Sequence, residues 1–486
     1  MTPPPHAPMP PAFAGHASPA AVQPGGPASR LEWLTLIHVA GLALFTAWDF
    51  GGETDFARLV IRGWGSLAVP LIVYACVRRV RRRDGLPSAL RWLWPLLVFD
   101  VVVLASLFHP SFTRALVGGA AALVDSGSRN LWPSTAVPAA TWHTWWEFNA
   151  IYLSCFNLAL TIVHRRMLRA LLVMVTVNAL ALAVMGTFQK LARAPGLYFG
   201  LQASPNDAFF ATFIYRNHWG ALILLSTAAA LALIFHYARR SDPAGRRHSP
   251  ALFDVVATLL MAASVPLSAS RSCSVLVLIL LLGALAYWLW RLRRGSQAGG
   301  AAKAAAIAAT VALFLVGLGG SYLLGRPVIE RRISQTREQI EEIRLRGSVG
   351  SRQQLYADTW RMARTKPLFG WGLGSYATVF QIYHQQVSVE GWVPFYARAP
   401  SDWLQALAEV GLVGTALMVL MAVVPLTLLW RSPSPGPLPG FLLAGCGLLA
   451  LYALVEFPFA NPAVLVTFWL CFFTALRYHR LTVGDA

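Results

Sequence analysis

YRNHWGALILLSTAAALALIFHYARR, residues 215–240, carries the fold class. Between Arg216 and Arg239 it holds no Asp, Glu, Lys or Arg. A helix of about 20 apolar residues crosses the ~30 Å hydrocarbon core of a bilayer, so the segment reads as a transmembrane span. Its threshold is unusual, because Arg216, Asn217 and His218 stand where apolar residues cost less. A charge that reaches mid-membrane costs roughly 2.5–3.5 kcal/mol on insertion scales. Such an arginine calls for a reason.

The rest of the chain repeats the pattern. Of 486 residues, 56% are hydrophobic and 13% charged, with a mean hydropathy of +0.54. Soluble domains carry about 25% charged residues. Hydropathy and helix breakers give about twelve spans: 32–49, 58–77, 90–108, 148–164, 168–189, 209–237, 251–268, 272–291, 303–324, 403–430, 438–456 and 462–478. An all-α integral membrane protein is expected. The 18 tryptophans suit interfacial belts.

Charge orders the spans. RRVRRR (78–83), HRRMLR (164–169), ARRSDPAGRRH (238–248), RLRR (291–294), Arg431 and RYHR (477–480) follow even-numbered spans, while DFGGETDF (49–56) after the first is acidic. The positive-inside rule then makes both termini cytoplasmic. The net charge of +19 is spread among the spans, not gathered in one domain, which argues against nucleic acid and makes the lipid bilayer the first partner. The five cysteines, Cys76, Cys155, Cys273, Cys446 and Cys471, lie in or beside apolar runs and read as small core residues.

Four regions follow. Residues 1–30 are a Pro/Ala-rich cytoplasmic tail with no leader-like cleavage pattern, 31–324 hold spans one to nine, 325–402 form a large outer loop, and 403–480 hold spans ten to twelve. The loop opens with RPVIERRISQTREQIEEIRLR (326–346), whose alternating charges at helical spacing predict a surface helix.

Basic residues recur in the outer leaflet, where the charge rule disfavours them: Lys190 and Arg193 after span five, Arg216 at span six, and Arg271 in LSASRSCSVL between spans seven and eight. Each could simply snorkel to the headgroups. Arg216 and Arg271 interrupt apolar sequence among small or polar neighbours, and arginine's planar fork suits phosphate. RQQLYADTWRMARTKPLFGWGLGSY (352–376) adds glycines that let backbone turn tightly and approach a ligand. Its G-x-G spacing is no dinucleotide loop, since no strand precedes it. DWLQALAEVGLVG (402–414) places Asp402, Gln405 and Glu409 on one helix face, where capping by Asp402 competes with a ligand role.

YRNHWG (215–220), SRS (270–272), R-x7-W-x5-KPLFGWGLGSY (352–376), D-W-L-Q-x3-E-x-G-L-x-G (402–414) and VEFPFANPA (455–463) occur in that order. Over roughly residues 90–480 this set resembles the O-antigen ligase and polymerase family of bacterial polysaccharide assembly. The resemblance implies about twelve spans in the bacterial inner membrane and transfer of a glycan from undecaprenyl diphosphate to lipid A-core or a growing chain. It implies inverting chemistry with no metal and no cofactor, and casts Arg216 and Arg271 as ligands of the lipid diphosphate. Lys190, Asn217, Arg352, Trp371, Gly372, Gly374, Tyr376, Asp402 and Gln405 are the candidate substrate-binding residues.

One departure stands out. Where relatives read H-A-H-N-D-[YW]-L-Q, with a histidine proposed as base, this chain has Arg398, Ala399, Pro400, Ser401 and Asp402. Neither Arg nor Pro is a base near neutral pH. His384 is the candidate substitute, with Glu390 and Asp402 as weaker stand-ins. The alternatives are a relative that binds lipid-linked glycan without turnover and a small-anion transporter whose arginines line a path.

Overall fold

The computed structural model describes residues 27–83, 85–117, 120–125, 131–206, 208–238, 250–295, scattered positions between 301 and 320, 351–384, 395–430 and 436–483. Its long helices are α1 (Arg30–Trp48), α2 (Asp55–Ser66), α3 (Ala68–Arg81), α4 (Trp94–Ser106), α5 (Pro138–Thr161), α6 (Arg165–Leu191), α7 (Arg216–Ala238), α8 (Pro250–Leu267) and α9 (Arg271–Gly295). After the loop segments α10 (Ser351–Thr365) and α11 (Tyr376–Tyr383) come α12 (Asp402–Trp430), α13 (Pro437–Tyr452) and α14 (Pro462–Val483).

Among the described residues, seven helices are long and apolar enough to cross a membrane: Arg30–Trp48, Asp55–Arg81, Ser88–Ser106, Arg165–Leu191, Arg216–Ala238, Arg271–Arg294 and Asp402–Thr427. The expected spans at 251–268 and 438–456 correspond to the shorter apolar helices Ala251–Leu267 and Pro437–Tyr452. Expected spans 148–164 and 462–478 fall in α5 and α14. Most of 303–324, the tail to residue 26, the charged stretch 326–346 and Glu390 lie outside the described residues.

One element departs from the all-helical expectation. In the 109–147 link, β1 (Phe112–Val117) pairs antiparallel with β2 (Ala120–Asp125), Phe112 opposite Asp125 and Val117 opposite Ala120. The cue was Gly118-Gly119 between two short strand-forming runs, a two-residue hairpin signal.

Helix α7, the 216–238 span, is the centre of the bundle. It packs against α6, α8, α9, α13 and α14, and 78% of its apolar window is buried, more than in any other of the seven. Small residues allow the approach: a Cβ on Gly445 of α13 would lie 2.5 Å from the Ala228 Cβ, and one on Gly220 2.5 Å from the Cys273 Cβ. Without a strong hydrophobic drive between helices in lipid, such backbone proximity is what dispersion needs. Cys155, Cys273, Cys446 and Cys471 are buried, Cys76 is half-buried, and all five are free.

The links sort to two ends of the bundle. At one end Glu32 completes a capping box with Ser29 and accepts the backbone N–H groups of Val163 and His164 at 2.8 and 3.0 Å. Arg480 donates there to Ser88 (2.7 Å), and Arg291 donates to the Ala238 carbonyl (3.0 Å). At the other end Glu53 meets His218 (2.7 Å) and accepts from Asn461 (2.8 Å), while Lys366 donates to Ser111 (2.7 Å). Among the described residues, links that follow the expected odd-numbered spans meet one another, and so do those that follow the even-numbered ones.

Candidate active site

Helix α12 organises the site because it is broken. Gly411 sits at φ 63°, ψ −168° inside the Asp402–Trp430 helix. Broken backbone at membrane depth is tolerated only when other protein groups take up the freed N–H and C=O groups. The KPLFGWGLGSY stretch does this. The Leu412 and Val413 N–H groups donate to the Pro367 and Leu368 carbonyls at 2.8 and 3.1 Å. The Ala408 and Glu409 carbonyls accept from Trp371 and Gly372 at 3.0 and 2.8 Å.

The Glu409 side chain finishes the join. Its Oε2 accepts the Gly374 N–H at 2.9 Å, and its Oε1 accepts the Tyr376 N–H at 3.0 Å and Gln405 Nε2 at 3.2 Å. The glycines are spent on this fit. Gly372 has φ 100°, and a Cβ there would meet Thr135 Oγ1 at 2.2 Å. The close approach foreseen for a ligand is made to the protein's own backbone. Trp371 donates from its indole to the Met362 carbonyl (3.1 Å), and the buried Tyr376 hydroxyl lies 2.9 Å from Thr359 Oγ1. Burial, helped by the nearby carboxylates Glu409 and Asp358, pushes the Tyr376 hydroxyl pKa up against the opposing Thr359 bond. None of Trp371, Gly372, Gly374 and Tyr376 lines the cavity described next; the residue of that turn that does is Leu373.

Beneath the turn lies a cavity of about 430 Å³. Its polar wall includes Arg58, Glu147, Arg398, Asp402, Gln405 and Glu409. Its apolar wall includes Met418, Val419, Ala422, Val423, Leu465 and Phe468. Arg58 donates to both Glu147 oxygens, at 3.0 and 3.1 Å. Gln405 Oε1 accepts the Ala399 N–H at 3.0 Å and so holds the approach loop that presents Arg398. Asp402 Oδ2 accepts the Phe459 N–H at 2.7 Å. Of the predicted site residues, Asp402 and Gln405 belong to this cavity.

A second polar cluster lies across the turn between α13 and α14. Its hub is Glu456, the carboxylate of VEFPFANPA (455–463) and not among the predicted site residues. Glu456 Oε1 accepts from Arg352 (2.9 Å), Asn217 Nδ2 (3.0 Å) and Tyr215 (3.2 Å). Burial, then the Glu456 charge, push the Tyr215 hydroxyl up to about 12, so it stays a donor. For Arg352, burial works against the cation, but Glu456 outweighs it and holds the pKa above its ordinary value. Asn217 Oδ1 accepts from Ser270 Oγ at 2.8 Å. That bond joins the chain neighbours of Arg216 and Arg271, setting α7 and α9 side by side at their cationic ends. Arg216 is also an electrostatic neighbour of Lys190, whose Nζ lies 4.6 Å from the Phe209 ring. Asn217 and Arg352 therefore meet at one turn, apart from the cavity wall; Arg216 and Arg271 adjoin Asn217 and Ser270 in the chain, and Lys190 is an electrostatic neighbour of Arg216.

The substitute base is placed elsewhere. His384 is buried, 2% exposed, with Nδ1 2.7 Å from Asp358 Oδ2 and its ring stacked 5.3 Å from Phe380. Arg361 and Gln354 also bond Asp358. His384 does not line the cavity; Arg398 does.

Residues 256–419 match the model of the O-antigen ligase family. Over that third of the chain the sequence is similar to the O-antigen ligase family. No curated protein matches the chain. The matched region runs from α8 to midway along α12 and contains Arg271, the glycine turn, Arg398, Asp402 and the helix break. Arg58, Glu147, Arg216 and Glu456 lie outside it, so both polar groupings are shared between the matched region and flanking helices. The match, with the apolar helices, supports a multi-pass membrane protein and glycan transfer of the O-antigen ligase type in general.

Proposed function

We propose that the protein moves an undecaprenyl-diphosphate-linked glycan onto lipid A-core or a growing polysaccharide, without a metal, at the periplasmic face of the bacterial inner membrane. The observation that carries this reading is the cavity, polar where the outer links meet and apolar deeper in the bundle. An amphipathic acceptor with a hydroxyl-rich head and acyl chains complements both halves. Arg216 and Arg271, across the α13–α14 turn, hold the donor's diphosphate and stabilise it as it leaves, with Lys190 and Arg352 adding charge. Guanidinium forks aimed at developing phosphate charge are worth most in a site with little water.

The test is glycan transfer in proteoliposomes, with donor and acceptor lipids extracted from host cells. Arg216→Ala or Arg271→Ala abolishes transfer at unchanged protein level, and Lys restores it in part, supplying charge without the fork. Wild-type activity in Arg216→Ala overturns the diphosphate assignment.

A further inference from the structure

The geometry points to Asp402 as the group that takes the acceptor's proton, an inference that rests on the glycan-transfer reading above. Attack on an anomeric carbon needs a place for the hydroxyl proton, and a positioned base contributes roughly 10²–10⁴-fold. Neither Arg398 nor Pro400 can serve, and His384 is buried on Asp358 away from the cavity.

Three carboxylates line the cavity: Glu147, Glu409 and Asp402. Glu147 has both oxygens on Arg58. Glu409 has both oxygens on the glycine turn. Asp402 differs. Its Oδ2 is held by the Phe459 N–H, while among the described residues Oδ1 has no hydrogen-bond partner in a side chain that is only half-buried. That oxygen is left to the cavity.

Asp402 is also well placed between the two polar groupings. Its own N–H donates to the Glu456 carbonyl at 3.1 Å, and the Glu456 side chain faces the arginine cluster. The acceptor oxygen bonds to the anomeric carbon as the bond from that carbon to the diphosphate oxygen breaks. The electron pair leaves with undecaprenyl diphosphate, the proton passes to Asp402 Oδ1 and then to water, and the anomeric configuration inverts.

Asp402→Asn separates this role from a structural one, because the amide oxygen can still accept the Phe459 N–H. In proteoliposomes with host-extracted donor and acceptor lipids, Asp402→Asn lowers kcat about 10²–10⁴-fold. It leaves the Tm and the binding of undecaprenyl diphosphate alone near wild type. The wild-type pH–rate profile loses one ionisation in the variant. Other charged groups facing Asp402 (Arg398 on the approach loop, Glu409 on α12, Glu456 on the α13–α14 turn) remain in both proteins and cancel in that comparison. If Asp402→Asn does not fold, Asp402→Glu replaces it: a shifted profile supports the role and an unshifted one overturns it. Wild-type turnover in Asp402→Asn overturns the base assignment alone. Wild-type protein that binds undecaprenyl diphosphate but never transfers overturns the underlying reading, and the proposal with it.

Discussion

Glu53 shows how a single carboxylate ties the membrane bundle together. It sits in the short α1–α2 link and joins α7 through His218 and the α13–α14 turn through Asn461. Burial pushes its carboxyl up, but the hydrogen bond and charge of His218, with Asn461 and Arg58, outweigh burial and hold it below the ordinary 4.5. A depressed carboxylate stabilises the fold above its unfolded pKa and loses that contribution as pH falls through the folded value. Glu53→Ala therefore costs about 1–3 kcal/mol at neutral pH, the penalty for stranding buried partners. The deficit shrinks as pH falls below 4.5. Thermal unfolding in detergent at neutral and acid pH reads this directly, and a deficit of constant size would remove Glu53 as its source. Glu456 plays the matching part on the arginine side. Its single oxygen collects three donors that the sequence scatters over residues 215, 217 and 352.

At the level of elements, the glycine turn and the break in α12 are one construction. Gly411→Ala puts a Cβ 2.3 Å from the Leu368 carbonyl oxygen at a backbone φ of +63°. Backbone cannot move aside there without giving up the bonds that patch the helix, so this variant loses folded protein. Gly283→Ala in α9 has nothing within 4 Å of the new Cβ, and it gains up to about 1 kcal/mol from helix propensity. Comparing the Tm of the two variants in detergent checks the assignment; equal effects would sink it. The same construction shows what was legible in the sequence. Apolar runs and breakers located most of the helices because burial in lipid is a local property of each run. Asp402 and Gln405, which line the cavity, were placed on one helix face because i, i+3 spacing is local too. The partner of the glycines was not, since Gly372 closes on residues 409 and 135, and no local pattern encodes a contact of that range. Glu456 was hidden for the same reason, although a lone carboxylate in an apolar turn was a signal.

At the scale of the whole molecule, the grouping of links makes a statement about topology that no single helix makes. The acidic 49–56 link, the 109–147 link, Ser270, the 351–402 segment and the 456–461 turn join through Glu53–Asn461, Lys366–Ser111, Ser270–Asn217 and Arg352–Glu456. The basic link ends join through Glu32–His164, Arg480–Ser88 and Arg291–Ala238. Two such networks, one at each end, are what helices alternating in direction produce among the described residues. The positive-inside rule then predicts that the end carrying the basic links lies in the cytoplasm. Leu201, 89% exposed in the link after α6, should face the periplasm, and the exposed Arg293 at the end of α9 the cytoplasm. The native thiols interfere little: four are buried, and Cys76→Ala removes the half-buried fifth. In intact spheroplasts an impermeant maleimide labels Leu201→Cys and leaves Arg293→Cys unlabelled until the membrane is opened. Labelling of both before opening would break the alternation, and the reverse pattern would invert the protein and put its cavity on the wrong side for a periplasmic acceptor.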